Sequence, residues 1–336
     1  MQMNEHFSEQ DTRILSPPAV EPKTPIRLWI FNHGIRAITE QVEVFLYVMR
    51  THGYSVTVSK NPSPSSLNVV IENFDEVSFR TVTSFCNKFR KRVAIIVTEH
   101  LDFINGQVYF HGRAVDAKYD DYMHGVVKRA RLLYLTLLTE YTYCLLRLGD
   151  LPALVGIEKM FPGLPVFSLP FPPIVPAKRA KIGKEGCGPQ FDLVFSGKVT
   201  EYRKKILARF AKSYRTNIID TAVSRRCRDA ANVDGRLVLN IPQREDWRWV
   251  SSMRVIAALR CRRATLSVNT ENGGQIAPAC FNVRDTDIGG ARIRMALDNY
   301  ETVYAGCADS YEKMRTCRES PKFPAGMLDV WEELEL

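Results

Sequence analysis

The stretch VLNIPQREDWRWVSSMRVIAALRCRRATLSVNT, residues 238–270, places a serine pair and an arginine at the start of an amphipathic helix pattern, between two apolar runs. A helix opening at Ser251 or Ser252 presents unpaired backbone N–H groups and a partial positive charge. Arg254, one turn in, adds a guanidinium able to grip an oxyanion with two hydrogen bonds. Two more loops at the ends of apolar runs carry related groups. Ser196-Gly197-Lys198 offers a position without a side chain, where a diphosphate can approach, and a lysine charge beside it; the third loop is Asn269 to Gly274. Together these residue types fit a phosphate-bearing ligand. Taken singly, Ser251 reads equally well as a simple helix cap and Arg254 as a solvated side chain.

Other polar groups have plainer readings. Asp285-Thr286-Asp287 has the carboxylate spacing of a hard-cation site, but its place just before DIGGARIRMAL favours a helix cap, and no metal is expected. Trp247 and Trp249 either stack on a base or sugar ring or cover a core edge. The eight cysteines, Cys86, Cys144, Cys187, Cys227, Cys261, Cys280, Cys307 and Cys317, are scattered without zinc-site spacing and read as reduced thiols.

For three loops to meet on one ligand they must leave the same edge of one sheet. IRLWIFN (26–32), YSVTVS (54–59), NVVIENF (68–74) and VAIIVTEH (93–100) read as strands, with helices over AITEQVEVFLYVMRTHG and VSFRTVTSFCNKFRK. Residues 119–148 read as one long apolar helix, kept out of a membrane by Lys128, Arg129, Arg131, Glu140 and Arg147. Proline-dense GLPVFSLPFPPIVP (163–176) and basic, glycine-rich KRAKIGKEGCGPQ mark a linker. The alternation then resumes. FDLVFSG (191–197), TNIID (216–220), RLVLNI (236–241) and ATLSVN (264–269) are strands, separated by helices over TEYRKKILARFAKSY, AVSRRCRDAA and the segment opening at Ser251. From Asp287 onward the pattern is helical, with no further strong strand. Strand–helix alternation implies crossover connections and parallel sheets, whose ligand crevice lies at the carboxyl ends of the strands.

At 336 residues the chain exceeds what one core usually serves, and 45% hydrophobic with 25% charged residues is ordinary for a globular protein. There is no apolar run of membrane-spanning length and no signal-peptide pattern, so a cytoplasmic protein is expected. A formal charge of +9 favours anionic partners: nucleotides, nucleic acid or acidic headgroups. The basic runs KFRKR (88–92), VKRAR (127–131), KRAKIGK (178–184) and SRRCR (224–228) are spread along the chain, as solvated faces also are.

FDLVFSGKVTEYRKKIL, followed by LVLNIPQREDWRWVSSMRVIAALRCRRATLSVNTE, resembles the nucleotide-binding half of glycosyltransferases of the GT-B fold, in the branch with Ser-x-Arg-Val at the start of the donor helix. NVVIENF and ALDNYETVYAGCADSYEKMR are similar to that branch too, which spreads the likeness over most of residues 26–317. The resemblance implies an α/β protein with two Rossmann-like doubly wound parallel-sheet domains facing across a cleft. The expected division is a flexible tail (1–24), an acceptor-side domain (25–176), a linker (177–190), a nucleotide-sugar-binding domain (191–290) and C-terminal helices (291–336) packing back towards the first domain. It implies Gly197 near the donor diphosphate, Arg203 on the first helix of the second domain, and Ser252 and Arg254 on the donor helix. Two positions depart from the family: Ala257 stands where a glutamate serves the donor ribose, and Arg262 where a small residue or glycine is usual. Glu271, just after the next strand, is the available substitute on the ribose.

The implied activity is transfer of a sugar from a nucleoside diphosphate donor to a hydroxyl acceptor, in glycan, polysaccharide or lipid-linked glycan assembly. The donor is a substrate, and neither cofactor nor metal is expected. The acceptor side then falls at the strand ends of the first domain, where His33 and Gly34 follow the first strand, Glu72 ends the third, and Glu99-His100 with Asp102 ends the fourth. An inverting reaction needs a base, with His33, Glu99, His100 and Asp102 as candidates; a retaining one does not. For either histidine alone, a hydrogen-bonded turn residue is the plainer reading. Alternatives are a transferase acting on modified bases in DNA and a catalytically degenerate binding module. The basic patches offer contact with nucleic acid or a membrane surface, the latter making the protein peripheral.

Overall fold

A computed structural model describes residues 25–34, 38–98, 101–105, 107–110, 113–114, 125–149, 157–177, 188–219, 223–270 and 273–327 of the chain. Strands and helices are numbered in chain order. In the first half these are β1 (Ile26–Trp29), α1 (Thr39–Thr51), β2 (Val56–Ser59), β3 (Leu67–Ile71), α2 (Glu76–Phe89), β4 (Val93–Val97), β5 (Leu101–Ile104), β6 (Gln107–Phe110), β7 (Arg113–Ala114), α3 (Gly125–Leu137), β8 (Thr142–Leu148), α4 (Ile157–Met160) and β9 (Val166–Leu169). The second half holds β10 (Phe191–Ser196), α5 (Glu201–Ala211), β11 (Thr216–Ile219), α6 (Arg225–Asp234), β12 (Gly235–Asn240), α7 (Ser252–Arg260), β13 (Ala264–Val268), β14 (Phe281–Val283), α8 (Ala291–Asp298) and α9 (Tyr300–Thr316).

Two parallel sheets result. The first has the order β2-β1-β3-β4-β8-β9 and the second β11-β10-β12-β13-β14. Every pairing within both is parallel. The protein is thus an α/β chain of two Rossmann-like sheets, as the alternation of apolar runs and amphipathic helices predicts. All five residues of β3, β4 and β13 are buried, which is why these strands read as continuous apolar runs. In β4, Ala94 and Ile96 join the core on one face while Val93, Ile95 and Val97 join the core on the other. Helices therefore cover both faces of the first sheet. Helix α1 buries Val42, Phe45, Val48 and Met49, a 3.6-residue stripe. Helix α2 starts at a reciprocal cap: Ser78 N donates to Asp75 Oδ1 (2.8 Å) and Asp75 N to Ser78 Oγ (2.7 Å).

Strand order reverses between β1 and β3 in the first sheet and between β10 and β12 in the second. The loops leaving those four strands diverge over the sheet edge and leave a crevice between them. His33 and Glu72 follow β1 and β3; Gly197 and the loop leading to α7 follow β10 and β12.

Four sequence expectations are corrected. Residues 119–148 are not one helix: within the described part α3 ends at Leu137, and TYCLLRL is β8, paired with β4 and β9. An apolar run cannot be assigned to helix or strand by periodicity when both faces are buried, as six of the seven residues of β8 are. The proline-dense segment contains β9, an edge strand bracketed by Pro165 and Pro170, positions where a missing N–H is tolerated. β14 was not expected before the C-terminal helices. Finally, β5, β6 and β7 form a small antiparallel sheet, and Asp102 lies in it opposite Tyr109, not at the end of the fourth strand.

The sheets are tied together by the segment after β9 and by the C-terminal helices. Ala177 N donates to Arg260 O (2.9 Å), Tyr311 Oη to Pro172 O (2.7 Å), and Phe323 stacks on His52 with ring centroids 3.9 Å apart. Glu40 and Glu43 of α1 meet arginines of α6 and α7: Arg228 holds Glu40 through Nε (3.1 Å) and Nη2 (2.7 Å), and Arg260 and Arg225 hold Glu43. Among the described residues, no helix is long and apolar enough to cross a membrane.

Candidate functional site

At the crevice of the second sheet, β10 ends in Phe195, Ser196 and Gly197. The backbone of Gly197 has φ +153°, outside the range comfortable for a side chain. A β-carbon there would lie 3.1 Å from Arg254 Nη2, 3.2 Å from Phe195 Cζ and 3.5 Å from Arg203 Nη1. Two guanidiniums thus converge on the one residue of the loop that carries no side chain. Their carbons sit 5.3 Å (Arg203) and 5.5 Å (Arg254) from the centre of the Phe195 ring, which supports both by cation–π contact.

Both arginines donate to neutral oxygens. Arg203 is buried on α5 because Thr200 caps that helix and turns its first residues over the end of β10; it donates to Ile241 O (2.9 Å) and Lys198 O (2.8 Å). Arg254 donates to Asn240 Oδ1 (2.9 Å) and Ser196 O (3.0 Å). Removal from water pushes the Arg254 pKa down to about 10, partly offset by the distant charge of Glu40; it stays protonated at neutral pH. No carboxylate among the described residues pairs with it. Ser252, buried, is the first residue of α7; Ser251 is exposed at the N-cap, and its side chain makes no capping hydrogen bond. Of the N–H groups opening α7, that of Arg254 is taken by Ser251 O (3.0 Å), and no N-cap side chain accepts from those of Ser252 and Met253. Lys198 is exposed beside Gly197. The structure brings Gly197, Arg203 and Arg254 together, with Lys198, Ser251 and Ser252 next to them in the chain. Glu271 lies outside the described residues.

Sequence reasoning missed Asn240 and Ser267. Asn240, 2% exposed, ends β12; its Nδ2 donates to Ser267 Oγ (2.7 Å), and Ser267 Oγ meets Thr270 Oγ1 (2.5 Å). The available signal was a polar residue inside each of the buried runs LVLNI and ATLSV.

At the crevice of the first sheet, His33 is partly buried, with Nε2 3.2 Å from Ile71 O. A carbonyl can only accept, so Nε2 carries the proton and Nδ1 keeps its lone pair. Burial, first, and then the nearby Arg131 hold its pKa below 6.5, against the opposing pull of backbone hydrogen bonds and Glu72. Glu72, 2% exposed, accepts from Arg131 Nη2 (3.0 Å) and Thr98 N (3.2 Å), which commits it to structure. Glu99 and His100 lie outside the described residues. Asp102 sits on β5, and the position of its carboxylate is not described.

The two edges are close neighbours. Trp247, from the loop between β12 and α7, is buried in the same apolar cluster as Trp29 at the end of β1 and Phe74 after β3. It covers a core edge of the first sheet. An open groove of about 470 Å³ runs beside the second edge, its lining mixed in charge, with Lys205, Arg244 and Arg248 facing it together with Glu201, Glu245 and Asp246. Asp285 is paired with Arg209 (3.1 Å), and Asp287 accepts from Arg284 N (3.2 Å), closing the 3-10 turn Asp285–Asp287; helix α8 itself starts at Gly290 with no side-chain cap, so neither aspartate caps it.

No family model matches the sequence, and no curated protein does. Among solved structures the chain is similar to a DNA-modifying β-glucosyltransferase, at 10% identity over 92% of this chain and 97% of that one, with a TM-score of 0.49. It is similar to a UDP-forming α,α-trehalose-phosphate synthase from Burkholderia xenovorans in complex with glucose-6-phosphate, at 11% identity, 84% and 73% coverage and a TM-score of 0.45. It is also similar to the glycosyltransferase SnogD from Streptomyces nogalater, at 10% identity, 88% and 96% coverage and a TM-score of 0.40. The two-sheet fold rests on the strand pairing itself.

Proposed function

We propose that this chain is a glycosyltransferase that moves a sugar from a nucleoside diphosphate to a hydroxyl acceptor without a metal. One observation carries the reading: Arg254 and Arg203 converge at side-chain-free Gly197, on the switch point of the second sheet and at the opening of α7. In the reaction the bond from the anomeric carbon to the diphosphate oxygen breaks, and negative charge grows on the leaving group. In this reading Arg254, Lys198 and the first N–H groups of α7 stabilise it in a partly dehydrated crevice. The acceptor oxygen forms the new bond and gives its proton to Nδ1 of neutral His33, the base of an inverting mechanism. Each charge-assisted hydrogen bond contributes roughly 1.5–3 kcal/mol, so two or three suffice for micromolar donor binding after ordering is subtracted.

The test is donor hydrolysis and transfer with a panel of nucleotide sugars, with Arg254→Ala in parallel. Loss of one such donor lowers turnover by about 10²–10³-fold in comparable sites. Failure to bind or turn over any nucleotide sugar, or an unchanged Arg254→Ala enzyme, rejects the proposal.

A further inference from the structure

Arg254 has the usual requirements of a buried cation and an unusual way of meeting them. Buried arginines are ordinarily neutralised by a carboxylate. Here both oxygens that hold the guanidinium, Asn240 Oδ1 and Ser196 O, are neutral. The acid whose field reaches it, Glu40 on α1, is itself gripped by two nitrogens of Arg228. The amide of Asn240 is in turn oriented from behind. Its Nδ2 is bound by Ser267 Oγ, Ser267 is bound to Thr270, and Ser267 and Thr270 are fully buried at the ends of β13 and the loop after it. An amide has one oxygen and one NH₂, so the donation to Ser267 fixes which end faces Arg254.

We infer that Asn240 is a positioning residue that fixes the guanidinium of Arg254 with a neutral oxygen, leaving its positive charge uncompensated until a diphosphate arrives. This rests on the donor-site reading above and adds to it a device: a tether of rigid geometry that does not compete with the ligand. An aspartate at 240 is the isosteric alternative that a purely structural role would accept equally well. It would keep the acceptor towards Arg254. The Ser267 hydroxyl can reverse and donate to the new carboxylate, with Thr270 donating to Ser267; what is given up is the long bond from Thr270 to the half-buried Asn282 Oδ1 (3.5 Å). What changes is the charge available to a ligand.

The experiment compares wild type, Asn240→Asp and Asn240→Ala in thermal unfolding and in calorimetric titration with uridine diphosphate, guanosine diphosphate and inorganic pyrophosphate. The expected result is that Asn240→Asp melts at or above the wild-type temperature yet binds these anions about 10–100-fold more weakly, the loss of one charge-assisted contact. Asn240→Ala melts lower and also binds more weakly, because Arg254 is no longer aimed. If wild type binds the anions and Asn240→Asp binds them within twofold, Asn240 only supports the fold and the inference is wrong. If wild type binds none of the three, the donor-site reading itself falls, a separate and distinguishable failure.

Discussion

At the scale of single residues, His33 has the surroundings that the proposed base requires. Its Nε2–H is taken by Ile71 O, and burial, with Arg131 beyond it, keeps the ring neutral. Because its pKa lies below 6.5, the active neutral form is lost only as pH falls through that lowered value; kcat/KM should rise through an acidic limb below pH 6.5 and then plateau. His33→Ala should lower turnover about 10²–10⁴-fold and abolish that limb in a pH–rate profile. A second prediction concerns Gly197. Its φ of +153° and the 3.1 Å approach of Arg254 make Gly197→Val strained and force the guanidinium aside. Lower thermal stability together with at least tenfold weaker nucleotide binding is the outcome expected in calorimetry. Gly197 and Arg254 were legible in the sequence because glycine and arginine at strand ends are conspicuous. Asn240 was not, since a polar residue in an apolar run declares a buried hydrogen bond without declaring its partner.

At the scale of elements, α7 opens at the candidate site and is followed by one of the positions that departs from the motifs the sequence resembles. Arg262 stands where that family favours a small residue or glycine, and its backbone explains the preference: φ is +56°, just past the helix C-terminus. The left-handed conformation strains a side chain by about 1–2 kcal/mol. The position lies at the opposite end of α7 from the arginine pair. Arg262→Gly should therefore raise the unfolding free energy by about 1 kcal/mol while leaving nucleotide affinity unchanged; a shift in affinity would tie Arg262 to the ligand after all. The α3–β8 region shows the reverse situation, in which local pattern misleads. TYCLLRL is as apolar as a helix interior, and only pairing with β4 and β9 makes it a strand.

At the scale of the whole molecule, the two sheets are set against each other by charge. Glu40 and Glu43 of α1 meet Arg225, Arg228 and Arg260, with the side chain of Arg228 only 9% exposed. Glu40→Ala would remove the carboxylate to which two nitrogens of buried Arg228 donate, with a destabilisation of about 3–5 kcal/mol measurable by denaturant unfolding. Asp229 belongs to the same cluster, 3.3 Å from Arg225 and beside Cys261, and burial followed by repulsion from Glu40 raises its pKa to about 6. The folded state then holds this proton more tightly than the unfolded chain, whose aspartate lies near 3.8. Stability from this group is greatest at low pH and is lost as pH rises through about 6. Asp229→Asn should flatten that part of the stability–pH curve, and a curve identical to wild type would show that Asp229 titrates normally.

The order of apolar runs and amphipathic helices, and with it two parallel sheets with their carboxyl edges as the place to look, was determined by the sequence alone, because burial on a sheet imposes a local periodicity on the chain. The strand identity of β8, the swing of Trp247 into the first core, the grip of Asn240 on Arg254 and the pairing of Glu40 with Arg228 across 188 residues were decided only in three dimensions. These depend on which distant side chains share a space, and that follows from strand order and packing, which no local pattern encodes.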